Sequence, residues 1–186
     1  TNGIELTEEV QRALVGDKDR SAAFVNISLD ASTWENYHRI KKQGGSPEAS
    51  KEQYLKILQN IRELVKMKKR MGSSLNISIS SVLQEENTTP EEVEGLVRLA
   101  RELGVNDVRF RYPYKKMTGA PQQSQIQAAY ETLQRLIEEY RNDPNFSVTQ
   151  VYTDDETHEL MGRLLDGSLQ RRKYEKCHVP HLRLTV

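Results

Sequence analysis

Three short runs of this sequence carry polar side chains at every second position. Asn26, Ser28 and Asp30 alternate with Val25, Ile27 and Leu29; Asn76, Ser78 and Ser80 alternate with Leu75, Ile77 and Ile79; Arg109 and Arg111 alternate with Val108 and Phe110. A period of two is the side-chain period of a β-strand, so each run gives one apolar face and one polar face. Hydroxyls and carboxamides on such a face can hydrogen-bond a polar ligand. Asp30 can exchange a proton, and the arginines suit a carboxylate because a guanidinium offers paired donors. No partner carboxylate or histidine is found on the strands with Asp30, which disfavours a hydrolytic or lyase site there. The tail holds a second group, Cys177, His178 and His181, at spacings a Cys/His metal site can use. Cys177 is the only cysteine of the chain, which excludes an internal disulfide and leaves too few thiolates to hold a zinc ion or an iron–sulfur cluster unaided. A packing role explains it equally well.

Elements that would position these residues are legible around them. Thr7 is a good N-cap for a helix, with Glu8 and Glu9 at its positive end and Val10, Ala13 and Leu14 as its apolar face. Tyr54, Ile57, Leu58, Ile61, Leu64 and Val65 mark a long helix from about Ser50 to Arg70, ended by Gly72. Thr89 and Pro90 open another helix, which Gly104 closes. Ile126, Tyr130, Leu133, Ile137 and Tyr140 give a further amphipathic helix. Strands are expected at 23–30, 75–83, 107–112, 146–153 and 182–186, with a short helix near 157–165 and an irregular, function-bearing loop from Trp34 to Pro47. Strands alternating with helices predict an α/β fold with a parallel sheet and right-handed crossovers. No glycine-rich phosphate loop is present.

In a doubly wound sheet both faces of a central strand meet helices, and its strands are apolar nearly throughout. Strands with one wholly polar face fit a barrel better, with apolar faces outward on the helices and polar faces around an enclosed cavity. A sheet with one wet face predicts the same alternation.

Composition narrows the partners. The 186 residues carry 27 Lys and Arg against 27 Asp and Glu, so no net charge draws the chain to nucleic acid or to an acidic membrane surface. No apolar run approaches the roughly 18 residues of a spanning helix. The first residues lack the basic and apolar regions of a signal peptide, and the expected location is cytoplasmic.

Asn26-Ile27-Ser28-Leu29-Asp30-Ala31 resembles the "SLDA" fourth strand of radical S-adenosylmethionine (SAM) enzymes. Thr1-Asn2-Gly3 resembles the "TNG" that ends their third strand, and Leu75 to Asn87 the fifth strand with its "VL…N" exit. Tyr37 and the Gly44-Gly45 pair fall after the fourth strand as in that family, and Val105 to Arg111 resembles the sixth strand. The resemblance implies an incomplete (β/α)6 TIM-like barrel, present here from the end of the third strand through the sixth over residues 1–120, with a C-terminal α/β extension over 121–186. It implies SAM as cofactor, contacted by Ser28 and Asp30. Asn26, Asn76, Ser78, Ser80, Arg109 and Arg111 would then line the cavity or meet substrate. It also implies a [4Fe-4S] cluster on a CxxxCxxC loop that would lie upstream of Thr1, an external electron donor, and a 5′-deoxyadenosyl radical that abstracts substrate hydrogen. Cys177 before Leu182 to Val186 resembles the entry to an auxiliary iron–sulfur cluster region, which points to a peptide or protein substrate. The competing reading is a non-catalytic α/β domain that binds a small anion through Arg109 and Arg111.

Overall fold

The structure is a computed structural model and describes residues 1–16, 22–41, 45–111 and 121–151. Its helices begin where the sequence supplies caps. Thr7 accepts from Val10 N at 3.4 Å to start α1 (Glu8–Val15), and Ser46 accepts from Ala49 N at 3.2 Å to start α3 (Pro47–Met71). Thr89 accepts from Glu92 N at 3.3 Å to start α4 (Pro90–Leu103). These oxygens satisfy N–H groups that a helix leaves without internal partners. Gly72 and Gly104 end α3 and α4 in the left-handed conformation, with φ of 63° and 77°.

Two expectations give way. The stretch from Trp34 to Pro47, expected to be irregular, contains α2 (Trp34–Lys41), begun by Thr33 Oγ1 accepting from Asn36 N at 3.3 Å. Its apolar signal is weak because its buried residues are Asn36 and Tyr37, and Asn36 is tolerated there by donating Nδ2 to Glu86 O at 2.8 Å. In α1 the buried residues are Gln11 and Val15, while Val10 is exposed. Gln11 can be buried because its Nε2 donates to Leu6 O at 2.8 Å.

The strands β1 (Phe24–Ser28), β2 (Asn76–Val82), β3 (Asp107–Arg111) and β4 (Ser147–Gln150) form a parallel sheet in chain order, with α5 (Gln123–Tyr140) joining the last two. Residues 121–150, which the sequence division places in an extension, thus add α5 and β4 to the same sheet. Every connection advances one strand in the same direction, and right-handed crossovers then put α2 to α5 on one side. The helices lie in a row, α3 against α1 and α4, and α4 against α5. Val25, Ile27, Ile77, Ile79, Val108, Phe110 and Val148 on the sheet are buried together with the helix stripes Ile57, Ile61, Leu64, Val93, Val97 and Leu133. Each such side chain contributes roughly 1.5–3 kcal/mol. The expected short helix near 157–165, the last strand at 182–186 and Cys177 lie outside the described residues.

Thr1 continues the ladder beyond β1. Its N donates to Asn26 O at 3.0 Å and its O accepts from Ser28 N at 2.8 Å, which is a parallel bridge to Ile27. Gly3 then turns the chain at φ 77°, where a Cβ would come within 3.0 Å of Ile27 and Ile57 Cγ2.

Side chains complete the ladder of β2 at both ends. Ile77 N donates to Asn106 Oδ1 at 2.9 Å, and the same oxygen accepts from Lys68 Nζ at 2.7 Å. Val82 N donates to Asp30 Oδ1 at 2.8 Å. Asn106→Ala leaves the Ile77 amide without its acceptor and is expected to cost about 1–3 kcal/mol, read as a lower urea midpoint with an unchanged slope.

Candidate functional site: the polar face of the sheet

Partners in register on parallel strands share a face, so the pairing decides which of the predicted residues come together. One row runs Asn26, Ser78, Asp107 and Ser147 across β1 to β4; the next runs Ser28, Ser80, Arg109 and Thr149; the last pairs Val82 with Arg111. Asn76 stands beside Phe24 at the start of this face. The register therefore brings Asn26, Ser28, Asn76, Ser78, Ser80, Arg109 and Arg111 onto the face opposite the apolar one. Ser28 and Arg111 are exposed, Asn26, Asn76 and Arg109 are partly buried, and Ser80 is buried.

The centre of the face is an ion pair that the sequence reading does not include. Asp107 is only 4% exposed and Ser78 is 0% exposed. Arg109 donates from Nε to Asp107 Oδ1 at 2.6 Å and from Nη2 to Oδ2 at 3.3 Å, while Ser78 Oγ donates to Oδ2 at 2.5 Å. A buried carboxylate is costly unless it is paired and hydrogen-bonded, and both oxygens here are engaged. A bridge between neighbouring strands is the ordinary structural role for these arginines; the observed one runs along β3 itself, two residues apart. Asp107 is a carboxylate on the strands, but it stands in the row of Ser78 and Asn26, before Asp30 in register, and is bonded to Arg109 and Ser78. The signal was the alternation of Asp107, Arg109 and Arg111.

Two acceptors on this face lack donors. Asn26 Oδ1 and Asn76 Oδ1 are buried with no hydrogen-bond partner among the described residues. An unpaired buried acceptor costs about 1–3 kcal/mol, and native structures answer it with a donor from protein, water or ligand. Ser81 Oγ and Gln150 Nε2 are in the same condition on the helix-covered side.

At the C-terminal ends of β1 and β2 the backbone is held by long-range bonds. Asp30 lies past the end of β1; its carboxylate receives Val82 N, and its carbonyl receives Asn87 Nδ2 at 2.7 Å. Asn87 Nδ2 also donates to Val82 O at 3.0 Å, and its Oδ1 accepts from Gln84 N at 2.6 Å. Ser32 N donates to Glu92 Oε2 at 3.1 Å and Ser32 O accepts from Tyr54 Oη at 2.5 Å. Gly95 makes room for this turn, since a Cβ there would stand 2.9 Å from Ser32 Cβ and Oγ. Asp30 thus joins strands rather than capping its own turn through Ser32 or Thr33. Asn87, Glu92, Tyr54 and Gly95 are far from Ser32 in sequence, and no local pattern announces them.

Burial raises the Asp30 carboxyl above the ordinary carboxylate range, opposed by the Val82 N–H and by the Lys41 charge. Burial, with the charges of Glu92 and Glu35, also raises the Tyr54 phenol, which keeps it a hydrogen-bond donor. Among the described residues no group of three or more His, Cys, Asp or Glu could hold a metal ion, and no helix is long and apolar enough to cross a membrane.

Asp30 binds its proton more tightly in the folded chain than in the unfolded one. The folded state therefore holds more protons between the ordinary carboxylate pKa and the raised one, and stability falls as pH rises through that interval. Asp30→Asn keeps an acceptor for Val82 N and removes the charge, so this slope is expected to vanish with no loss of stability at neutral pH. Asp30→Ala leaves the amide unpaired and is expected to lose about 1–3 kcal/mol. Urea denaturation from acid to neutral pH checks both. Neither a scan against protein-family models nor a search of curated proteins finds a match to this chain.

Proposed function

We propose that this chain forms part of the barrel wall of a cytoplasmic radical SAM enzyme, with the polar face of its sheet turned to the cofactor and the substrate. The observation that carries the reading is the registered set of rows on the side of the sheet opposite its helices. Chain-order winding is how a (β/α) barrel is built, and a polar interior is what a barrel with a ligand cavity needs. The parallel bridge of Thr1 to Ile27 supports it further, because the ladder continues past β1 where the resemblance expects a third strand.

SAM carries donors in its amino, ribose and adenine groups, and Asn26 and Asn76 would line the cavity that receives it. Ser28, with Ser80 beside it on β2, would hold the cofactor. Asp30 would act by fixing the strand ends beneath it. SAM bound there would supply hydrogen-abstracting chemistry. The residues of this chain do not fit the cluster itself, since Cys177 is the only cysteine, so its ligands would come from a CxxxCxxC loop that this sequence does not contain. An external electron donor would serve that cluster. Cys177 as a ligand of an auxiliary cluster, and a peptide or protein as substrate, remain parts of the proposal that rest on the resemblance.

The natural polypeptide that carries this sequence, purified without oxygen, is expected to contain iron and acid-labile sulfide and to release 5′-deoxyadenosine from SAM when reduced. Ser28→Ala is expected to weaken SAM binding by roughly 2–10-fold, the loss of one hydrogen bond. A protein without iron would contradict the proposal and favour a non-catalytic anion-binding domain, the reading to which Arg109 and Arg111 on one face also lend themselves.

A further inference from the structure

Arg109 is placed and oriented unlike the other polar residues of this face. It stands on β3, level with Ser80 on β2 and Thr149 on β4. Strands lie about 4.8 Å apart, so Arg109 is roughly 10 Å from Ser28 along the row. Its guanidinium is turned along β3 to Asp107 rather than across the row toward Ser28. The guanidinium is fixed side-on, with Nε and Nη2 bonded to Asp107 at 2.6 and 3.3 Å, and Asp107 is itself held by Ser78 Oγ at 2.5 Å. Side-on pairing uses one edge of the planar group. The Nη1–Nη2 edge faces away from Asp107, and it offers the paired donors that match a carboxylate. Arg111 adds a second cation on the same face and is exposed. Two cations less one anion leave this cluster with one net positive charge, the complement of a monoanion.

We propose that Arg109, oriented by Asp107 and Ser78, forms with Arg111 a carboxylate subsite for the substrate, separate from the SAM contacts at Ser28; the word substrate here rests on the SAM reading above. Asp107 and Ser78 are positioning residues, and Arg109 makes the contact. The subsite selects a ligand with a free carboxylate at the β3 side of the cavity.

The test is an NMR titration of the full chain labelled with nitrogen-15. Acetate is added against chloride at matched ionic strength while the Arg109 Nε–H signal is followed. S-adenosylhomocysteine is added separately while the Ser28 and Ser80 amides are followed. Acetate is expected to shift Arg109 saturably, and Arg109→Lys to weaken binding about tenfold by removing the fork. Asp107→Asn is expected to weaken it several-fold, although it adds net positive charge. Should that variant not fold, Ser78→Ala, which removes one bond from Asp107, carries the same expectation. Simple charge attraction has the opposite sign, so tighter acetate binding by Asp107→Asn overturns the proposal. A shift that never saturates, or one unchanged in Arg109→Lys, overturns it as well. If S-adenosylhomocysteine itself moves the Arg109 signal, the carboxylate belongs to SAM and the substrate assignment falls. If acetate binds as expected and S-adenosylhomocysteine moves neither Ser28 nor Ser80, the carboxylate subsite is supported and it is the SAM reading that fails.

Discussion

Because β1 to β4 pair in chain order and all in parallel, the helices that connect them are committed to one side of the sheet. That side takes the apolar residues at 25, 27, 77, 79, 108, 110 and 148. The other side receives none of α2 to α5, and its side chains answer to polar chemistry instead. Asn26, Ser78 and Asp107 fall in one row and Ser28, Ser80 and Arg109 in the next because the register is fixed, and a slip by one residue would send each set into the helix layer.

Holding charge on such a face has a cost that the structure meets locally. Asp107 is almost fully buried yet bonded by Arg109 and Ser78, so its ionised form keeps partners in place of water. The same economy closes the ends of β2, where Asn106 and Asp30 supply side-chain oxygens to Ile77 N and Val82 N. Asn87, Glu92 and Tyr54 then fix the turn that follows β1. The face is thus supported from its centre and from its C-terminal rim, a rigid frame of the kind on which a binding site can hold its geometry.

How much of this the sequence discloses depends on the range of the interaction. Alternation in β1, β2 and β3 and the caps at Thr7 and Thr89 are local signals, and they yield these strands, their polar faces and the starts of α1 and α4. The helix α2 escapes the pattern because a buried Asn36, held by its Nδ2 to Glu86 O, takes the place of an apolar residue, and the inward face of α1 is misjudged because the buried Gln11 does the same. Of the candidate site, the residues on the common face follow from period two. The pairing of Arg109 with Asp107 lies within β3 and is signalled by their spacing of two, whereas the use of Asp30 at Val82 and the roles of Asn87, Glu92 and Gly95 depend on which elements become neighbours.

Photolabelling tests most directly whether this polar face is the SAM-bearing wall of a barrel. The natural polypeptide, purified without oxygen, would be irradiated with an 8-azidoadenosyl analogue of SAM and its labelled peptides mapped by mass spectrometry. The account predicts label on β1 or β2 and the turns that follow them, around Ser28 and Ser80, and its loss when SAM is added in excess. Label confined to the helices α3, α4 and α5, or label that SAM does not displace, would contradict it.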